Sequence, residues 1–431
     1  MRRRSFFTGA AALGALRLIG PQTVHAQTKA SGIKITDVEI WQVVGQEERM
    51  RASGPNQYMV QPGDVYPENR PRVYVENRNP STETTLATNR AFYVKILTNG
   101  GLQGFYGTIS QNQVTVILGR LRRSLIGMDP LSIDTIWHKL YLGNNHGYAG
   151  DFMEGLSSID ICLWDLKGKF CNMPVYKLLG GSRTAIECYA SALRFPVTDQ
   201  DLIQKYAAEL KAEGYKAQKW FFAYGPSYGD WGIEQNVMLV RTIRETLGEH
   251  YTIYFDAFEG WDLNYAIKMF TRVKQYQPDW IEEPVMRENI DSFARLRQMF
   301  SIPIATGEHT YGRWSIAKLI KADAVDVIQS DPEWCGGISE TIKICHLASA
   351  HDLVVSPHNQ RSIALAHVIA SQPPTLCPIM EYQVNLQPRL AYFEKNPIVP
   401  PKNGQIELPD RLGFGIELDE SKIGSMAKVE A

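Results

Sequence analysis

The sequence predicts an α/β chain: a (β/α) barrel that carries an α+β N-terminal capping domain. Three observations lead there. From about Thr184 short apolar runs alternate with amphipathic helical stretches, eight times, the last helix truncated. Ahead of that point strand patterns come first and helical patterns follow, the order of an α+β unit. Finally, three apolar runs, TIYFDAF, PDWIEEP and IPIATGEH, bring carboxylates at Asp256, Glu282 and Glu308 in even steps of 26 residues. A strand, a helix and two loops occupy about that length, so successive parallel strands would deliver one carboxylate each to the same rim.

At 431 residues the chain has room for one barrel and a smaller domain. A net charge of −1 without a long basic run gives no electrostatic reason to expect nucleic acid. The six cysteines form no C-x-x-C pair and no zinc spacing with histidine, and read as buried reduced thiols. Residues 1–26 read as a twin-arginine signal peptide: Arg3-Arg4-Ser5-Phe6-Phe7, an apolar run over 9–20, then Val24-His25-Ala26 as a cleavage site. The alternative is a disordered basic tail. The run, interrupted by Arg17 and Gly20, is too short for stable membrane insertion. The expected location is therefore the periplasm, an oxidising compartment that leaves one disulfide open.

Residues 27–183 are assigned to the capping domain. Residues 33–44 alternate as a strand, and 49–85, Pro/Asn-rich and without period, reads as a long loop and candidate lid. Residues 90–97 and 102–109 flank Asn99-Gly100-Gly101 as a hairpin, and helical periods follow over 114–126, 130–140 and 155–170. The barrel is assigned to 184–385, with strands at 187–192, 217–222, 252–258, 280–283, 303–308, 325–330, 353–356 and 379–382. Helices over 200–213, 237–247, 263–276 and 339–350 lie between them. Residues 386–431, with Pro/Gly turns, are expected to pack back on the capping domain.

Barrel chemistry sits at the C-terminal ends of strands. Strands three to eight end on Asp256, Glu282, Glu308, Asp331, His358 and Glu381. One carboxylate at a strand end is most often a helix cap or a loop solvator, but six ionisable ends in succession are hard to read as structural. Three oxygen donors on one rim suit a hard divalent cation such as Mg²⁺. Asp331 and His358 follow adjacent strands, so the carboxylate can accept from one imidazole nitrogen and raise the basicity of the other. Alone, His358 in SPHN would be an ordinary loop histidine.

The runs IEEP, TGEH, QSDPEWCGG, VVSPH and LGFGIELD resemble the enolase superfamily, in its mandelate racemase subgroup. DPEWCGG, SPH and GFGIEL together are most similar to acid-sugar dehydratases of the L-rhamnonate dehydratase kind. With IDICLWDLKGK and PVYKLLGG the resemblance spans 33–418. It implies a modified TIM barrel of the enolase type and a symmetric homo-oligomer. It also implies Mg²⁺ on Asp256, Glu282 and Glu308, an acid/base dyad of Asp331 and His358, and a substrate-carboxylate contact at Glu381. There is one departure. Many members of the subgroup end the second strand in Lys-x-Lys, the last lysine being the opposite-face base; here Phe221 stands in its place. Lys219 is on the same face one layer deeper, either as a charge lent to the site or as an interior lysine paired with a carboxylate.

Three weaker candidates remain. His309 adjoins Glu308 but alternates away from it; His146, in GNNHGYAG, either reaches the site from the capping domain or is a surface histidine. The rings from Trp220 to Trp231 read chiefly as packing, with Phe221 a candidate pocket wall. The leading expectation is a Mg²⁺-dependent sugar-acid (aldonate) dehydratase, a lyase. It would remove the proton alpha to the carboxylate, through a metal-stabilised enediolate, and give a 2-keto-3-deoxy acid. A racemase or epimerase of an α-substituted acid, and a non-catalytic acid-sugar-binding protein, are the competing expectations.

Overall fold

The computed structural model describes residues 32–50, 59–69, 84–398 and 400–430. The whole 1–26 signal segment lies outside the described residues, as do 51–58 and 70–83 of the expected lid. Strand β1 (Ile35–Met50) pairs antiparallel with β2 (Thr84–Thr98), which pairs with β3 (Gln103–Ile109). The ladder β1–β2 continues to Met50 opposite Thr84, so the expected loop is shorter at both ends than its lack of periodicity suggested. Within it Pro62–Val65 and Pro67–Asn69 form 3₁₀ turns. One face of this sheet, with Val38, Ile40, Val94 and Ile96, joins the main core; Val43, Ala91 and Tyr93 on the other pack under Phe393 of the C-terminal segment. Burial on both faces makes β2 apolar without clean alternation.

Helix α1 (Gln111–Val116) begins earlier than its apolar period because Ser110 and Gln113 cap each other reciprocally at its start. A π-helical turn, Ile117–Leu121, joins it to α2 (Arg122–Leu125). Helices α3 (Ile133–Leu142), α4 (Asp151–Phe170) and α5 (Val175–Leu178) complete the capping layer. No helix among the described residues is long and apolar enough to cross a membrane.

The barrel strands are β4 (Ala185–Ser191), β5 (Ala217–Phe221), β6 (Thr252–Asp256), β7 (Trp280–Glu282), β8 (Ile304–Thr306), β9 (Val327–Ile328), β10 (Val354–Val355) and β11 (Met380–Gln383). They form one parallel ladder in the order β10-β9-β8-β7-β6-β5-β4-β11. The join between β10 and β11 is made by Val355 N–H donating to Leu376 O at 2.8 Å and Ser356 Oγ–H to Ile379 O at 3.3 Å. Between the strands run α6 (Gln200–Ala212), α7 (Gly229–Leu247), α8 (Leu263–Val273), α9 (Ile290–Met299), α10 (Gly312–Lys321), α11 (Ile338–Ser349) and α12 (Ser362–Ser371). Helix α8 shows the logic: Asp262 caps its first turn, and Tyr265, Ala266, Met269, Phe270 and Val273 make one buried stripe.

Inside the barrel a first layer, Tyr189, Ala217, Tyr254, Trp280, Ala305 and Val327, is apolar, with Tyr254 and Trp280 stacked. Two residues further along the strands come Ser191, Lys219, Asp256, Glu282 and Gln329, the floor of the polar rim. The tail returns to both parts: helix α13 (Gln387–Leu390) precedes β12 (Gln405–Glu407), which pairs with β4, and β13 (Ser425–Lys428) pairs with β1 of the capping sheet.

Helices α3 and α4 grip the loop after β9. Trp137 Nε1–H donates to Gly336 O at 2.7 Å, Gly336 N–H to Ser157 Oγ at 2.9 Å, and Ser339 N–H to Asp160 Oδ2 at 3.0 Å. Gly337 has φ +89°, and a Cβ there would sit 2.3 Å from Asp160 Oδ2, so only glycine allows this approach. All six cysteines are free thiols, five of them buried and Cys171 exposed.

Candidate active site

Lys219 stands at the centre of the rim floor with its side chain 1% exposed. Its Nζ is 2.6 Å from Glu282 Oε1, 3.1 Å from Glu381 Oε1 and 3.5 Å from Asp256 Oδ2. Burial pushes the ammonium down, but Glu282 and Glu381 outweigh it and hold Lys219 well above the usual lysine range. A lysine held charged in this way cannot serve as a base. Phe221, one layer up, is buried with Lys219 Nζ 5.3 Å from its ring centre. It brings no titratable group to that wall.

Asp256 and Glu282 are register partners on β6 and β7, and Glu308 follows β8 on the same rim. All three are buried. Glu282 is drawn inward, Oε1 to Lys219 and Oε2 accepting from Gln329 Nε2–H at 2.5 Å. For that reason the triad is not the tightest donor cluster among the described residues. The ligand atoms that all lie within 4.8 Å of one another belong to Glu259, Glu283 and His309. Sequence reasoning missed this second set, because alternation turns residue 283 away from the rim. Left-handed backbone at Phe258, Glu259 and Glu283 (φ +43°, +58° and +40°) turns it back, strain of the kind that collects at functional sites.

The residues fit a divalent cation. Burial raises the carboxyls of Asp256 and Glu308 well above the usual range, with the neighbouring carboxylates adding to it, and Glu308 Oε2 is buried without a hydrogen-bond partner. Carboxylates crowded in this way lack positive charge. Of the two donor sets, Asp256, Glu282 and Glu308 offer only hard oxygens. Glu259 is already neutralised by the Arg287 guanidinium and also accepts from Arg287 N–H. His309 Nδ1 is 2.8 Å from Glu283 Oε2 and 3.4 Å from Glu308 Oε1, so it adjoins the triad more closely than its alternation implied.

On the opposite side of the rim Asp331 Oδ2 lies 2.7 Å from His358 Nδ1, and accepts from Gln360 N–H at 2.7 Å as well. Burial lowers the imidazole, but Glu308, whose Oε2 is 3.8 Å from Nε2, and Asp331 lift it to about 9. Neutralising Glu308 removes the largest of these upward pushes. Trp334 stacks on His358 with ring centres 4.6 Å apart, and its ring centre is 5.6 Å from that of His309. Gln383 Nε2 is 3.1 Å from His358 Nε2.

Two expectations meet a different geometry. Glu381 is fully buried: Lys219 flanks Oε1 and Oε2 accepts from Asn359 N–H at 2.9 Å, so it stands at the rim floor beside Lys219. His146 is exposed in the turn between α3 and α4, with no hydrogen bond, ion pair or ring contact to the residues of the site. Two residues were not anticipated. Glu154, in the first turn of α4, has its carboxyl raised to about 7 by burial and by Asp151 and Asp331. Val60 of the 59–69 segment is buried, and its N–H donates to Phe222 O at 2.9 Å. It packs so closely on Gly260 that a Cβ there would lie 2.5 Å from its Cγ2. This part of the expected lid therefore rests on the ends of β5 and β6.

Two family models match the chain: "Mandelate racemase / muconate lactonizing enzyme, N-terminal domain" over residues 72–180, and "Enolase C-terminal domain-like" over 202–422. The chain is 33% identical over 314 residues to D-galactarolactone cycloisomerase of Agrobacterium fabrum, covering 69% of this chain and 81% of that one. It is 32% identical over 303 residues to L-talarate/galactarate dehydratase of Salmonella typhimurium, covering 69% and 71%. The crystal structure of L-rhamnonate dehydratase from Gibberella zeae superposes with a TM-score of 0.76 at 25% identity, over 90% of this chain and 94% of that chain.

Proposed function

Because the chain belongs to the mandelate racemase / muconate lactonizing enzyme family, with its enolase-like C-terminal domain, we propose that it is a Mg²⁺-dependent dehydratase of a monosaccharide-derived aldonic acid. One observation carries the reading: the acid/base equipment is one-sided. His358, oriented by Asp331, faces a wall where Phe221 replaces a base and Lys219 is locked as an ammonium. A racemase needs a proton donor on each face, whereas a dehydratase can use one group twice.

Asp256, Glu282 and Glu308 would hold the cation, whose charge offsets the second negative charge that develops on the substrate carboxylate. Lys219 fixes Glu282, Glu381 and Asp256 relative to one another, so the floor of the site is set before substrate arrives. Asp331 keeps the Nδ1 proton of His358 and thereby leaves Nε2 free to accept. Nε2 takes the C2 proton. The C3–O bond then breaks, Nε2–H returns that proton to the departing hydroxide as water, and the resulting enol tautomerises to a 2-keto-3-deoxy acid. Val60 and the turns beside it close the rim near β5 and β6, where water exclusion strengthens every charge interaction within.

A second reading shares the first step: departure of an intramolecular oxygen in place of hydroxide would make the reaction a ring-opening isomerisation. The similarity to the Agrobacterium fabrum cycloisomerase favours testing it. Purified protein with Mg²⁺ is incubated with aldonates and aldonolactones, and 2-keto acid is assayed. The dehydratase reading expects 2-keto acid from an open-chain aldonate, and His358→Asn to lower the rate by about 10²–10⁴-fold. Inversion at C2 without 2-keto acid would overturn it.

A further inference from the structure

Gln383 is the last residue of β11, two beyond Glu381 on the inner face and 3% exposed. Its Nε2 lies 3.1 Å from Nε2 of His358, the ring nitrogen that Asp331 does not hold. Its Oε1 is buried without a hydrogen-bond partner. The imidazole is thus held at three points: Asp331 at Nδ1, Trp334 on its face and Gln383 at the reactive nitrogen.

Amide chemistry suits that third position. Neutral His358 with its proton on Nδ1 presents a lone pair at Nε2, which only a donor can meet, and the amide NH₂ donates. Once Nε2 carries a proton it becomes a donor, and the amide carbonyl can accept. A half-turn of the terminal amide exchanges the two, about a torsion that is broad and two-fold. The unpartnered Oε1 is the atom such a turn would present. A carboxylate here could only accept, an ammonium only donate, and leucine neither.

We propose that Gln383 is a positioning residue for His358, which covers the reactive nitrogen between turnovers and, with Asp331 and Trp334, fixes the orientation of the ring. The inference rests on the acid/base reading of His358. Substrate entering the rim takes the place of the amide at Nε2. Between turnovers the ring is therefore held in the orientation from which Nε2 meets the next substrate.

The test compares wild type with Gln383→Leu and Gln383→Glu, full chain with Mg²⁺, after circular dichroism has established folding. In substrate-free protein, carbethoxylation of the peptide containing His358 by diethylpyrocarbonate is followed by mass spectrometry. The proposal expects Gln383→Leu to react at least severalfold faster; an unchanged rate overturns it. On an aldonate that wild type turns over, both variants should lose about 10–100-fold in kcat with KM within a few-fold, the size of effect that misplacing a reacting group produces. A Gln383→Glu enzyme near wild-type kcat would show a packing role alone and overturn the proposal. Should wild type turn over no aldonate, the dehydratase reading fails and the carbethoxylation rates decide the role of Gln383 by themselves. If Gln383→Leu does not fold, Gln383→Met takes its place in both arms.

Discussion

Replacing Lys219 by methionine removes one charge and little volume from the centre of the rim. At an effective dielectric constant of about 20, an ammonium interacts with a carboxylate at 2.6 Å by about 6 kcal/mol and at 3.1–3.5 Å by about 5 kcal/mol, before desolvation is charged against it. Most of that gross attraction is cancelled by taking the ions out of water, and truncating one partner of a buried pair costs about 3–5 kcal/mol net. Proton uptake sets a ceiling on the loss. A carboxylate with an unperturbed pKa of about 4.3 is protonated at pH 7.5 for about 4 kcal/mol and at pH 5.5 for about 1.6 kcal/mol. The variant should relax to the cheaper state, with one of the three carboxylates neutral. The folded variant then binds more protons than its unfolded chain, so its stability relative to wild type rises as pH falls. Urea unfolding in EDTA should show Lys219→Met destabilised by about 4 kcal/mol at pH 7.5 and by under about 2 kcal/mol at pH 5.5. A deficit equal at the two pH values would refute the view that Lys219 acts through charge.

The same charge argument separates the two donor sets. In Mn²⁺ titrations followed by electron paramagnetic resonance, Asp256→Asn or Glu308→Gln should weaken binding by more than about tenfold, whereas Glu259→Gln, whose charge Arg287 already answers, should not. Affinity lost only in Glu259→Gln would place the cation on the other set. His367 gives a pH prediction away from the rim. It is buried, Nδ1 accepts from Tyr176 N–H at 3.0 Å, Nε2 has no partner, and burial lowers the imidazole to about 3. Its unfolded value is about 6.5, so the unfolded chain gains the proton first and stability falls by about 1.4 kcal/mol per pH unit between 6.5 and 3. His367→Asn keeps an acceptor without the titration; between pH 6.5 and 4.5 wild type should lose about 2.3 kcal/mol more than the variant in urea unfolding. Equal losses would mean that the imidazole is not held neutral.

The strand ends were legible because a buried barrel strand stays apolar until it reaches the rim. Asp256, Glu282, Asp331 and His358 each break such a run, and period two correctly put Lys219 one layer below Phe221. Depth was not legible. Glu381 breaks its run in the same way, but its register partner on β4 is Tyr189 of the apolar layer, and from that level its carboxylate reaches Lys219 and Asn359 N–H. Glu283 and Glu259 were hidden because left-handed backbone overrides alternation, and no side-chain pattern announces it. Gln383, Gln329 and Trp334 carry no charge to draw notice; their meaning lies in contacts with Glu282 and His358 from distant strands. The extra length of β1 and β2 beyond the apolar stretch comes from ladder pairing that includes polar residues, as at Gln46–Thr88, where neither strand shows a hydrophobic period.

The balance of charge around the rim also bears on the order in which ligands enter. Asp256, Glu282, Glu283, Glu308, Asp331 and Glu381 are all buried there, against the ammonium of Lys219 in their midst and the imidazole of His358. An aldonate is itself an anion. Approaching this rim with no cation present, its carboxylate would meet Glu308 with an unpartnered oxygen and Asp256 already crowded by Glu282, and like charges in a low-dielectric cleft repel strongly. Two positive charges held by the triad would offset the carboxylates nearest the point where the acid arrives. That would give an incoming carboxylate a counter-charge and relieve the His358 imidazole of the largest upward push on it, from Glu308. On the proposed reading, the same carboxylates that make the empty rim repel an acid would let the loaded rim admit one, and activation of His358 as a base would follow from the same neutralisation.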